Sequence, residues 1–157
     1  MHMRNQAERH FGVRLELVSG FQFSAQAFEG NTLHGNPVTT DEPDPVGQNA
    51  GPSTPAMLAM AVGHCLSASL IETLRHAGIT VLSLTTEATS VVWPNEEGHP
   101  RIKEIVVNIR PVLDQASRNI QRCLDVFERY CTVCQSIRPA IPVHVTVPYT
   151  VQTTLAA

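Results

Sequence analysis

Lysine occurs once in this chain of 157 residues, at Lys103, and the other ten basic residues are arginines scattered without a run. Against fourteen acidic residues they leave a net charge of −3 and an isoelectric point near 6.1. Phosphate binding needs a concentrated basic face, so nucleic acid is excluded as the main partner. Long hydrophobic runs are also lacking. The most extended apolar stretch, Pro55–Leu66, falls short of the roughly 18 residues of a membrane span, and no membrane association is expected. The polar opening MHMRNQAERH has no apolar segment of the kind that drives secretion, which leaves a reducing cytoplasm as the expected location. There is no second Cys-x-x-Cys beside the one at 131–134 and no His-x-x-x-His pair. A zinc site would therefore want for ligands, and no metal is expected.

What is present is an ordinary globular composition, 43% hydrophobic and 16% charged, with enough chain for one sizeable core. We divide it into a polar N-terminal segment (1–12), one domain (13–147) and a C-terminal tail (148–157). Residues 13–19 and 21–28 each alternate apolar with polar positions around Ser19-Gly20, which predicts a β-hairpin. A turn over 29–37 and a short third strand at PVTTDE follow, and then a loop, EPDPVGQNAGPSTP, carrying four prolines with Pro55 the last. From Thr54 the period changes. Thr54 as N-cap, Pro55 at the first helical position and Gly78 at the end bound a long helix, whose first half is apolar on every side and so predicted to be buried. Two long strands, 80–93 and 101–109, alternate with Leu82, Leu84, Ala88 and Val92 inward on the first and Ile105, Val107 and Ile109 inward on the second. Asp114 reads as the N-cap of a helix with Ile120, Cys123, Leu124, Phe127, Tyr130 and Cys131 on its apolar side, and residues 142–147 read as a last strand. The order predicts an α+β fold, a sheet wrapping a central helix.

The four cysteines are the residues that carry chemistry. Cys123 lies mid-stripe between Ile120 and Phe127 and reads as a small core hydrophobe. In YCTVCQ (130–135) Thr132 and Gln135 have capping-box spacing, which predicts that Cys131 precedes the N-cap of a short helix and Cys134 occupies its first turn. The helix dipole there favours thiolate and predicts lowered thiol pKa values. Half of a zinc site, a redox pair, and two buried thiols at a helix junction all remain open for this motif. Cys65 sits inside the long helix, and its neighbour His64 points about 100° away around the axis, a poor base for it. From local physics alone Cys65 is a core residue.

Two segments together resemble the OsmC/Ohr family, the osmotically inducible protein C and organic hydroperoxide resistance proteins. They are DEPDPVGQNAGPSTPAMLAMAVGHCLSASL and YCTVCQSIRPAIPVHVTV, similar to the family's G-x-[ST]-P-x-x-L-x-x-A-x-G-x-C and [YF]-C-[TP]-V-x-x-[ST]-[IL] segments. The element order from Val13 to Val147 matches as well. The resemblance implies the OsmC-like fold, antiparallel sheets around a buried helix in an intertwined homodimer with active sites at the subunit interface. It implies a thiol-dependent peroxidase acting on organic hydroperoxides, with Cys65 peroxidatic, Cys131 resolving and Cys134 an extra thiol outside the pattern. No bound cofactor is implied; an external dithiol, such as a lipoylated protein, would reduce the disulfide. The chain departs from the family at one important place. Peroxidases of the family carry a glutamate after the helix-opening proline, paired with an arginine, and here that position is Ala56. Arg14 is the candidate for the arginine, and Asp41, Glu42, Asp44 and Glu87 are the carboxylates that stand outside the motif. The departure supports an alternative, a weakly active or non-catalytic thiol or oxidant sensor, or a small-molecule-binding dimer, on the same fold.

Overall fold

The computed structural model describes residues 7–152, and the ends of the N-terminal segment and of the C-terminal tail lie outside the described residues. The chain divides into two compact units at Thr54/Pro55.

The first unit is a three-stranded antiparallel sheet in the order β1-β2-β3, formed by β1 (Phe11–Ser19), β2 (Gln22–Glu29) and β3 (Thr32–Thr40). The predicted hairpin is present. The third strand begins earlier than PVTTDE suggests, because Thr32, Leu33 and His34 pair with Glu29, Phe28 and Ala27 before the ladder slips. The slip accommodates Pro37, which has no N–H to give a ladder and is tolerated on an edge strand beside a bulge. Gln26 fills the gap by donating from Nε2 to the His34 carbonyl at 3.0 Å. After β3 the buried Asp41 organises the proline-rich loop, accepting from the backbone N–H groups of Glu42 (2.8 Å), Gln48 (3.0 Å) and Ala50 (3.1 Å). Burial works against its charge, yet the three donors outweigh burial and hold the carboxyl below its ordinary range.

The second unit holds the core. Helix α1 (Thr54–His76) packs against β4 (Val81–Pro94) and β5 (Pro100–Leu113), with α2 (Asn119–Val126), a 3-10 turn (Phe127–Tyr130), α3 (Thr132–Ile137), β6 (Val143–Thr146) and β7 (Thr150–Val151) completing it. β4 and β5 are antiparallel, whereas β6 and β7 each pair parallel with β5, so the expected antiparallel sheet is a mixed one. α1 ends as expected. Gly78 takes φ 75°, its N–H reaches the Arg75 carbonyl and that of Ile79 reaches Leu74, both at 3.0 Å, a closure that needs a left-handed residue and packs Ile79 near Leu74.

The burial of α1 is one-sided in this chain. Val62, Leu66, Leu70 and Leu74 are fully buried, while Ala56, Met60, Ala61 and His64 are exposed. With its glycine and serines included, α1 is also long and apolar enough to cross a membrane, contrary to the shorter stretch counted above. Its buried stripe packs with Ile105, Val107 and Ile109 in one hydrophobic cluster, which is how a core helix behaves. Gly63 permits the close approach: a Cβ there would lie 3.1 Å from the Ala88 Cβ. Ser67 clamps the same level, with 2.6 Å between its Oγ and Thr86 Oγ1.

Two strand and helix assignments shift. Ladder irregularities at Val81/Ser83 and Val91/Val92 change the phase of β4, so Leu82 and Val92 face out where strict alternation places them inward. The second helix starts at Asn119, not near Asp114. Asp114 Oδ1 accepts instead from the Thr80 N–H at 2.9 Å, tying the end of β5 to the start of β4. The α period also ends at Phe127, and the tighter 3-10 turn leaves Tyr130 exposed while Cys131 remains buried.

Candidate functional site

The site is a cluster of three thiols. Cys65 comes from the middle of α1, partly buried and packed against the core cluster. Cys131 and Cys134 come from the junction of the 3-10 turn with α3, and both are fully buried. Cys65 packs against the core cluster that contains Cys131 and Cys134 and acts on the Cys131 thiol, so residues 66 positions apart in sequence are brought into one cluster. Cys123 stays out of this group: it is a core residue whose sulfur donates weakly to the Thr73 carbonyl at 3.8 Å.

The local geometry of YCTVCQ differs from a capping box. The N-cap of α3 is Cys131, not Thr132, and its sulfur accepts the Cys134 N–H at 3.3 Å. Gln135 does not reach back to the cap; its Nε2 donates to the Glu128 carbonyl at 2.9 Å. The expected lowering of both thiol pKa values is overturned. Burial, then the interaction with Cys65, pushes Cys131 up to about 12, against the opposing pull of the Cys134 N–H. Burial also raises Cys134, where the Arg138 cation pulls it down and Glu128 pushes it up. One amide donor at the start of a six-residue helix does not compensate for removing a sulfur from water.

Arg138 and Glu128 are the members of the site that motif reading missed. They form an ion pair, Arg138 also donates to the Val143 carbonyl at 3.3 Å, and its charge acts on Cys131 and Cys134. Their spacing of ten positions across a turn matches no motif; an Arg-Pro step closing a helix next to two cysteines was the available signal. The charged residues singled out from the sequence have the following local surroundings. Arg14 is exposed on β1, opposite Gln26 on β2. Asp41 is saturated by its own loop. Glu87 is exposed and paired with Arg110 at 2.7 Å. No acidic residue occupies the first turn of α1. Among the described residues no group of three His, Cys, Asp or Glu side chains is arranged to hold a metal ion.

This α+β architecture of two sheets and a long core helix bearing a cysteine defines a known class. The OsmC-like protein family matches residues 47–146, and the chain belongs to that family. Among solved structures it is similar to a putative osmotic stress induced and detoxification response protein from Psychrobacter arcticus (TM-score 0.69, 21% identity, 94% of this chain and 100% of that one). It is similar also to an OsmC-like protein from Mycoplasma pneumoniae (0.68, 17%, 92% and 98%) and to the organic hydroperoxide resistance protein OhrB of Bacillus subtilis (0.58, 13%, 90% and 98%). At these identities the likeness is one of fold. No curated protein matches the chain.

Proposed function

We propose that this protein is a thiol-dependent peroxidase that reduces organic hydroperoxides through Cys65 and Cys131. The observation that carries the proposal is the convergence of those two thiols, from distant parts of the chain, on one core cluster, in a fold shared with organic hydroperoxide resistance proteins. The Cys65 thiolate attacks the O–O bond, releasing an alcohol and leaving a sulfenic acid. Cys131 condenses with it, water leaves, and a Cys65–Cys131 disulfide results. An external dithiol, for instance a lipoylated protein, then restores both thiols in a cytoplasmic setting. Arg14 is proposed, on the family pattern, as the activating arginine.

The active form is proposed to be a homodimer. Phe11, Val13, Leu15 and Leu17 lie on one face of β1, each more than half exposed, and Met60 stands exposed on α1. Apolar surface of this extent is what permanent interfaces cover.

One observation favours a second reading. With Ala56 exposed at the start of α1 and no acid in that turn, the glutamate of the family pattern has no counterpart there, and an oxidant sensor with little turnover would need none. The deciding experiment measures consumption of cumene hydroperoxide and hydrogen peroxide by purified protein, with dihydrolipoamide or thioredoxin as reductant. The peroxidase reading expects catalytic consumption, faster with cumene hydroperoxide and lost in Cys65→Ser. Stoichiometric oxidation of Cys65 without turnover would select the sensor.

A further inference from the structure

Cys131 has a thiol neighbour on the α3 side as well as on the α1 side. Its backbone is extended, with φ −77° and ψ 100°, and it sits as N-cap so that its sulfur lies over the first turn, 3.3 Å from the Cys134 amide nitrogen. Residues three apart on a helix have Cβ atoms about 5–6 Å apart, and the roughly 3.5–4.5 Å of a disulfide is a small adjustment from there. Arg138, one turn further along and held by Glu128, places a positive charge where a Cys134 thiolate would form. Cys131 and Cys134 are both 0% exposed, whereas Cys65 is only partly buried.

We propose that Cys134 is a second resolving thiol, which takes the disulfide over from Cys65 and stores it as a buried Cys131–Cys134 pair. The proposal rests on the peroxidase reading for the arrival of the first disulfide. Cys134 loses its proton and its thiolate attacks the Cys131 sulfur of the Cys65–Cys131 disulfide. A Cys131–Cys134 S–S bond forms, the Cys65–Cys131 bond breaks, and the departing Cys65 thiolate takes up a proton. The exchange consumes no oxidant; the hydroperoxide supplied the oxidising equivalent in the earlier step.

Two consequences distinguish this from a two-cysteine cycle. The oxidised protein carries Cys65 as a free thiol, and its disulfide is shielded from external dithiols. A reductant gains entry through the Cys65–Cys131 form, so recovery is slowed by the fraction of time the disulfide spends on Cys134. The third thiol converts a fast cycle into a persistent oxidised state.

The test oxidises the full-length reduced protein with one equivalent of cumene hydroperoxide and no reductant. It then blocks free thiols with N-ethylmaleimide in denaturant and maps the disulfide by mass spectrometry. One tryptic peptide beginning at Tyr130 carries Cys131 and Cys134, and a separate peptide carries Cys65. A parallel arm uses diamide, which forms disulfides without peroxidase chemistry. The expected result is an internal Cys131–Cys134 disulfide with Cys65 alkylated in both arms, and a Cys65–Cys131 disulfide in Cys134→Ala. Reduction by dihydrolipoamide should be about tenfold slower for wild type than for Cys134→Ala, since a tenfold preference for one disulfide lowers the reactive fraction by that factor. A persistent Cys65–Cys131 disulfide in wild type in either arm, or no disulfide with diamide, would overturn the proposal. A Cys131–Cys134 disulfide with diamide but no hydroperoxide consumption sinks the peroxidase reading and supports the pair. If Cys134→Ala does not fold, Cys134→Ser and the wild-type mapping carry the same decision.

Discussion

Arg138 is ion-paired with Glu128 on the preceding 3-10 turn, and the charge of that arginine reaches both Cys131 and Cys134. This pair is the fixed electrostatic element beside the buried thiols. Removing the cation leaves Glu128 to push Cys134 further up. Arg138→Gln should move the pH midpoint of single-turnover disulfide closure upward by about one unit, the low end of what an adjacent opposite charge does to a thiol. Arg138→Lys should recover most of the shift. An unchanged midpoint in Arg138→Gln would show that the arginine only braces Val143.

Cys131 also makes stability depend on alkaline pH. Its folded pKa is raised to about 12 above the roughly 8.5 of a free thiol, so the folded state keeps a proton that the unfolded state releases. The contribution is complete below the unfolded value and is lost as pH climbs through the folded one. Each such thiol lowers stability by up to about 1.4 kcal/mol per pH unit within that window. Urea midpoints of reduced protein between pH 7.5 and 10.5 should fall, and Cys131→Ala should fall less steeply. Parallel slopes for the two proteins would contradict the raised value.

At the start of α1, Ala56 is exposed and the first turn lacks an acid. Ala56→Glu should raise kcat/KM for cumene hydroperoxide by about tenfold or more, toward the gain a positioned acid–base group provides. The carboxylate also complements the helix dipole, so stability should not drop. Stopped-flow consumption assays with matched thermal melts check both halves.

Gly63 lets α1 lie against β4 at Thr86 and Ala88. Gly63→Val places a branched side chain into that contact, where the nearest obstacle is the Ala88 Cβ, an atom that cannot rotate away. Overpacking of this kind costs about 1–3 kcal/mol, and it should read as a lower midpoint in urea with the slope unchanged. A midpoint at or above wild type would mean that the helix and strand separate freely.

The exposed face of β1 tests the dimer. Light scattering should give a mass near twice 17.2 kDa at micromolar concentration. Leu15→Lys with Leu17→Lys should shift the population to monomer, because two charges replace the centre of an apolar stripe. A wild-type species at 17.2 kDa would remove the dimer from the proposal.

Much of this molecule is legible in one dimension. The strands of the first hairpin, the change of period at Thr54, the Pro55 start and the Gly78 stop are each set by a few adjacent residues, and each lands where the pattern places it. The same holds for the core stripe of β5 and for Cys123 as packing. Periodicity fails where a local event resets the phase, as at the two irregularities of β4 and at the 3-10 turn that exposes Tyr130. What no local pattern contains is the parallel pairing of β6 and β7 with β5, a choice made by packing across the sheet. The protonation of Cys131 belongs to the same category. Its place at a helix start argues for a thiolate, yet its sulfur is buried by residues from distant segments, and desolvation exceeds what one amide donor returns. The sequence by itself determined which elements form and which residues carry thiols. Only the tertiary structure decided which thiols meet, which charge stands beside them and which keep their protons, because burial and Coulomb interactions depend on distance in space, not along the chain.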